Sequence, residues 1–137
     1  MILAAMIIAS RAHKGQVDKG GKPYITHPIA VAAQQKTEEG KIVALLHDVV
    51  EDSYYTFDDL KNAGFSSNVL EALQLLTHKE GVPYFEYIAA IKQNDLARSV
   101  KLADLAHNSD LSRIENPTEK DFQRLKKYAT AISILKE

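Results

Sequence analysis

Three features of the sequence predict an all-α fold. Apolar residues recur three and four positions apart almost from end to end, and the two-residue alternation of β-strands is missing. Glycine, proline and capping residues then divide the chain into about eight segments, the pattern of a compact helical bundle. A chain of 137 residues fits a single domain, since one domain takes roughly 100–200.

The apolar run Met1 to Ala9 opens the first helix, over residues 1 to 13. It is far shorter than the roughly 20 residues a membrane span needs. It also lacks a basic leader and runs directly into Ser10, Arg11, His13 and Lys14, so it reads as a buried helix rather than a signal peptide. Gly15, Gly20, Gly21 and Pro23 mark an irregular loop. Pro28 begins a second helix to about Lys36, because proline suits the first helical turn while biasing His27 before it towards an extended conformation. Gly40 closes the connection, and a third helix is expected from about Lys41 to Asp52.

Thr56 caps a short fourth helix through Asp58, Asp59 and Leu60, ending at Gly64. Ser66 or Ser67 opens a fifth, carrying Val69, Leu70, Leu73 and Leu76. Gly81 and Pro83 separate it from a sixth, Tyr84 to about Gln93, and a seventh covers about Asp95 to Asn108. After Asn116 and Pro117, Thr118 caps the last helix, with Glu119 and Asp121 at its positive end and Lys136 near its negative end.

Composition removes several function classes. With 45% hydrophobic and 26% charged residues the chain can close an ordinary core. The lack of cysteine excludes a disulfide scaffold, a thiol nucleophile and thiolate metal sites, and it suits a reducing cytoplasm. Seventeen basic against eighteen acidic side chains give a net charge of −1, so no overall basic field draws the chain to nucleic acid or to a membrane. Charge is instead segregated. Residues 11 to 23 carry Arg11, Lys14, Lys19 and Lys22 against Asp18 alone, whereas residues 47 to 59 carry Asp48, Glu51, Asp52, Asp58 and Asp59 with no base. The first segment suits an anion and the second a cation.

The sharpest motif is His47-Asp48-Val49-Val50-Glu51-Asp52. On a continuous helix its four polar residues fall within an arc of roughly 140°, opposite the apolar stripe of Ile42, Leu45, Leu46 and Val49. An acidic helix face is as a rule simply solvated. Three carboxylates at this spacing repel one another, however, unless a cation lies among them, and a divalent metal is the compact solution. A second piece, Lys101 to Asn108, sets Asp104 and Asn108 one turn apart with Lys101 on their side. A third, Pro23 to Pro28, fixes His27 at a loop-to-helix junction, where a backbone-satisfied imidazole is the plainer alternative.

In order along the chain, His13 to Gln16 (His-x-x-Gln), Gly21 to Pro28 (Gly-x-Pro-Tyr-Ile-x-His-Pro), Ala44 to Asp52 and Val100 to Asn108 resemble the hydrolase domain of RelA/SpoT homologues. This family of the HD superfamily degrades the alarmones guanosine tetra- and pentaphosphate, (p)ppGpp. The resemblance runs over nearly the whole chain and implies a single HD-type helical domain over 1–137. The synthetase and regulatory domains of the long members have no room in 137 residues, so only the degrading activity is implied. By the same resemblance the metal ligands fall on His27, His47, Asp48 and Asp104, a set suited to one six-coordinate Mn²⁺ with positions left for water and substrate. The catalytic pair falls on Glu51 and Asp52, and the nucleotide contacts on Lys19, Asn108, Arg124 and Tyr128, with Lys14 or Lys22 as further phosphate partners.

The implied reaction is metal-dependent 3′-pyrophosphohydrolysis of a small-molecule nucleotide in the cytoplasm. Oligomerisation is left open. His13, His78 and His107 are expected to be structural or surface residues. At one position the chain departs from the family: many relatives carry Arg immediately before the loop lysine, where it stacks on guanine, and here the residue is Asp18. An acid offers no cation–π contact. That departure keeps a phosphatase or phosphodiesterase acting on another nucleotide, such as NADPH, as the alternative. A non-catalytic metal- or nucleotide-binding module is the third reading, and it leaves Glu51 and Asp52 without a purpose.

Overall fold

A computed structural model describes residues 1–137 and is built of helices. They are α1 (Ile2–Ala12), α2 (Thr26–Ala33), α3 (Glu38–Leu46), α4 (Val49–Asp52), α5 (Phe57–Asn62), α6 (Ser67–Leu76), α7 (Tyr84–Lys92), α8 (Asp95–Asn108) and α9 (Glu119–Lys136), with a 3-10 turn at Leu111–Arg113. Strand-like pairing is limited to one isolated antiparallel bridge, between Val17 and Pro23 in the glycine loop. No helix is long and apolar enough to cross a membrane.

The core forms around α3, whose residues Ile42 to Leu46 are all buried and which packs against α1, α2, α6 and α8. Its neighbours supply Ala5 and Ala9 from α1, Val31 from α2, Leu73 and Leu76 from α6, and Val100 and Leu105 from α8. The small alanines let α1 approach closely, while α7, α8 and α9 pack on one another to close the other side. Capping follows the expected chemistry. Thr56 and Thr118 each form a reciprocal capping box, with Asp59 and Asp121, and the Ser66 hydroxyl accepts from the Val69 N–H.

Three boundaries depart from the sequence expectation. The helix expected from Lys41 to Asp52 starts earlier, because Thr37 caps it through the Gly40 N–H, with Glu38 and Glu39 in its first turn. Gly40 therefore lies inside α3, where a Cβ would sit 3.1 Å from the Gln35 side chain. The same helix breaks at its far end. The His47 ring engages the Ala44 carbonyl, the acceptor that a continuing helix would offer to the N–H of Asp48. A turn at His47–Asp48 follows, and the four-residue α4 starts afresh. One predicted helix thus becomes two, giving nine α-helices.

The third departure is His27, which is helical rather than extended. A turn already running through Pro23 and Tyr24 carries it into α2, with the Thr26 and His27 N–H groups bonding the Pro23 and Tyr24 carbonyls. Pro28 falls in the first turn, where its missing N–H has no intrahelical partner to lose. Buried polar contacts of His27, described below, outweigh the local preference of a residue before proline.

Candidate functional site

Three elements deliver side chains to one buried point. The first turn of α2 brings His27, the α3–α4 break brings His47 and Asp48, and the middle of α8 brings Asp104. His27 Nε2 lies 2.8 Å from Asp104 Oδ1, and His47 Nε2 lies 3.3 Å from the same oxygen. Asp48 Oδ2 is 3.0 Å from His47 Nε2 and 3.9 Å from His27 Nε2. One donor atom each from His27, His47 and Asp104 lie within 4.8 Å of one another, and all three residues are buried. Asp48 stands at the edge of that trio, on the His47 side.

These distances fit a shared cation better than a closed hydrogen-bond network. His47 Nε2 is buried and has no hydrogen-bond partner, although two carboxylate oxygens stand near it. Its Nδ1 is engaged by the Ala44 carbonyl, so Nε2 is the ring atom that faces the carboxylates and, once deprotonated, offers a lone pair to a metal. Two imidazole nitrogens and two carboxylates with unspent acceptor capacity form a donor set for a divalent metal ion. The electrostatics agree. Burial disfavours a charged ring at His47, yet Asp48 and Asp104 outweigh it and hold its pKa well above the ordinary histidine value. Burial likewise works against ionised carboxylates, but His47 holds Asp48 down at about 2, and Lys101 with His47 keeps Asp104 well below the usual range.

The surrounding residues orient these groups. The Tyr24 hydroxyl donates to Asp48 Oδ2 at 2.6 Å, and burial together with Asp48 pushes its pKa far up, so it stays a donor. Lys101 Nζ donates to Asp104 Oδ2 at 2.9 Å and Asn108 Nδ2 to Oδ1 at 3.1 Å. His107 Nδ1 lies 2.7 Å from His27 Nδ1. The sequence alone suggests a structural or surface role for His107 and no individual part for Tyr24; the fold sets both against the centre. Their contacts run between elements far apart in the chain, and the only local signal was the placement of His107 one turn from Asp104.

Glu51 and Asp52 lie on α4, just beyond the centre, and line a cavity of about 540 Å³ together with Arg11, Lys14 and Gln16. The backbone N–H of His78 donates to Glu51 Oε1, and Gln16 Nε2 donates to the Asp52 carbonyl at 2.8 Å. Burial and the nearby carboxylates raise the pKa of both acids. Lys14 is thus placed beside the acids rather than in the pocket of Lys19.

The remaining expected contacts share a second cavity, about 280 Å³, lined by His27, Lys19, Asn108, Arg124 and Tyr128 among others. Asp121, 7% exposed, organises its cationic side: Arg124 donates to Asp121 Oδ1, and Lys19 Nζ is 3.9 Å from the same oxygen. Burial and the nearby Arg124 lower the Lys19 pKa. Asp18 and Arg113 also line this cavity, paired at 3.2 Å. Asp121 looked in the sequence like a helix-end acid, and it is also that, through its capping box with Thr118.

No family model matches the chain. It is 34% identical over 119 residues to the bifunctional (p)ppGpp synthase/hydrolase SpoT of Escherichia coli, a match covering 76% of this chain and 17% of that protein. It is 40% identical over 117 residues to a guanosine-3′,5′-bis(diphosphate) 3′-pyrophosphohydrolase of Haemophilus influenzae, covering 74% and 17%. The chain thus spans about a sixth of the length of these curated relatives. Among solved structures it is similar to a metazoan SpoT ortholog described as hydrolysing ppGpp, with a TM-score of 0.76 and 25% identity over 98% of this chain and 84% of that one.

Proposed function

We propose that this chain, which belongs to the RelA/SpoT-homologue hydrolase domains of the HD superfamily, removes the 3′-diphosphate from guanosine tetra- or pentaphosphate, releasing pyrophosphate and GDP or GTP. The observation that carries this reading is the convergence of His27, His47, Asp48 and Asp104 beside a cavity lined by Lys19 and Arg124. A cation site next to an anion site is what metal-assisted hydrolysis of a phosphoanhydride or phosphoester needs.

His27, His47, Asp48 and Asp104 are proposed to hold one divalent ion, Mn²⁺. Bound there, such an ion lowers the pKa of a water towards about 7 and withdraws charge from a phosphoryl oxygen. Glu51 is the group proposed to orient the attacking water and take its proton, with Asp52 beside it setting the charge around that base. The water oxygen bonds to the phosphorus attached at the 3′ position, the bond from that phosphorus to the ribose 3′ oxygen breaks, and the ribose oxygen leaves to be protonated. Lys19 and Arg124, gathered by Asp121, neutralise phosphate charge, and Asn108 and Tyr128 line the same cavity to orient the nucleotide.

The proposed partner is a small-molecule nucleotide; neither nucleic acid nor a membrane is proposed as a partner, and the setting is proposed to be cytoplasmic. The test is product identification. Purified protein loaded with Mn²⁺ is given guanosine tetraphosphate, and GDP and pyrophosphate are the expected products in equal amounts. Orthophosphate release from another nucleotide such as NADPH, with the tetraphosphate untouched, overturns the substrate. Tight binding of the tetraphosphate without turnover overturns the reaction.

A further inference from the structure

Asp18, the residue that departs from the family pattern, is spent on a second side chain. Its Oδ1 accepts from the backbone N–H groups of Gly20 and Lys22, both at 2.9 Å, and its Oδ2 accepts from Arg113 at 3.2 Å. The other terminal nitrogen of Arg113 donates to the His107 carbonyl at 2.9 Å. Two anchors on different elements therefore fix the guanidinium plane. The elements themselves meet backbone to backbone: a Cβ on Gly20 would stand 2.2 Å from the Arg113 carbonyl oxygen, so only glycine allows the loop to lie against the 3-10 turn.

Arg113 lines the same cavity as Lys19 and Arg124, together with the apolar side chains of Val17, Leu111 and Ile114. The cavity thus offers two chemistries. Lys19 and Arg124 suit phosphate, whereas a flat, immobilised cation among apolar groups suits the face of an aromatic base. Arg113 and Asp18 pair one to one, whereas Lys19 and Arg124 share the single carboxylate of Asp121, so the net positive charge available to a phosphate lies with those two. We propose that Arg113, positioned by Asp18, is the residue on which the nucleotide's purine base stacks. This inference rests on the nucleotide-hydrolase reading above and assigns Asp18 as a positioning residue, acting through Arg113.

The test is calorimetric binding to the metal-loaded chain with two probes, GDP, which carries a base, and inorganic pyrophosphate, which does not. Arg113→Ala is expected to weaken GDP binding by about tenfold, the scale of a cation–π contact, with pyrophosphate binding unchanged. Arg113→Lys keeps the charge and loses the plane, so it is expected to behave like Arg113→Ala. Asp18→Asn should weaken GDP binding in the wild-type background and add nothing to Arg113→Ala. Arg113→Gln, which retains a planar donor, serves if the alanine variant does not fold. Equal GDP affinity in wild type and the Arg113 variants overturns the inference, as does an equal loss for GDP and pyrophosphate. A wild-type protein that fails to hydrolyse the tetraphosphate, yet binds GDP in an Arg113-dependent way, overturns the reaction and leaves the stacking residue standing.

Discussion

His27 Nδ1 and His107 Nδ1 lie 2.7 Å apart, so one ring donates the proton between them and the other accepts it. Burial, with the charge of Arg113, lowers the His107 pKa and favours a neutral ring that can accept. His27 is then the donor at Nδ1, which leaves its Nε2 lone pair for the centre shared with His47 and Asp104. Replacing His107 with leucine is expected to weaken metal binding by roughly 10–100-fold, the usual cost of losing a group that orients a ligand. Metal titration monitored alongside far-ultraviolet circular dichroism checks this; unchanged affinity in a folded variant removes His107 from the role.

Metal and protons compete for the same donors. The pKa of His47 is raised by Asp48 and Asp104 against the effect of burial, so protons hold Nε2 to a higher pH than in a free histidine. Metal affinity is therefore expected to fall as pH falls through that raised value and to level off above it, because the ligand must be deprotonated. Occupancy should also show as stability. At a metal concentration about 100 times the Kd, linkage contributes about 2.7 kcal/mol, and a chelator should lower the melting temperature accordingly. His47→Ala and Asp104→Ala are expected to lose the chelator-sensitive shift, and a variant that keeps it is still binding the ion.

Glu51, as the proposed base, is expected to carry the pH dependence of turnover. Burial raises its pKa, with Asp48 and Asp52 adding to the rise, while the His78 N–H and Lys101 oppose them. A base works deprotonated, so kcat/KM should fall as pH drops through a value above that of an ordinary glutamate. Asp52→Asn removes one of the raising charges and should move that acid limb to lower pH. Glu51→Gln should retain metal and lose about 10²- to 10⁴-fold in kcat, the scale of general-base catalysis. A limb that stays in place in Asp52→Asn, with kcat near wild type in Glu51→Gln, assigns the base elsewhere.

The parts of this site legible in the sequence are those whose signal is local. The apolar spacing of Ile42, Leu45, Leu46 and Val49 announced a helix, and Thr56, Ser66 and Thr118 announced their caps. The break at His47 was not legible, because it depends on where the imidazole finds an acceptor, and periodicity continues smoothly across it. The helical state of His27 was hidden for a related reason: the preference of a residue before proline is weak beside the buried contacts with Asp104 and His107, some 80 residues away. Asp18 is the clearest case. Read as one residue it marked a missing cation, and only the fold shows that it holds one, Arg113, brought from 95 residues further along the chain.

Asp121 does two jobs that can be separated by experiment. Its Oδ2 accepts from the Thr118 N–H at 2.7 Å and closes the cap of α9, while its Oδ1 accepts from Arg124 and faces Lys19. The Thr118 N–H and Arg124 keep its pKa below the ordinary aspartate value, so the carboxylate remains charged through the neutral range. Asp121→Asn should free Lys19 and Arg124 from their shared anchor and raise KM for the tetraphosphate several-fold, with a smaller effect on kcat because the groups around Glu51 are untouched. Thr118→Ala removes a hydroxyl that donates to Asp121 Oδ2 and leaves the Oδ1 contacts of Arg124 and Lys19 in place, so it should cost about 1 kcal/mol of stability while KM stays put. If both variants raise KM alike, helix capping explains the effect. If Asp121→Asn leaves KM unchanged, the anchoring of Lys19 and Arg124 contributes nothing to substrate binding.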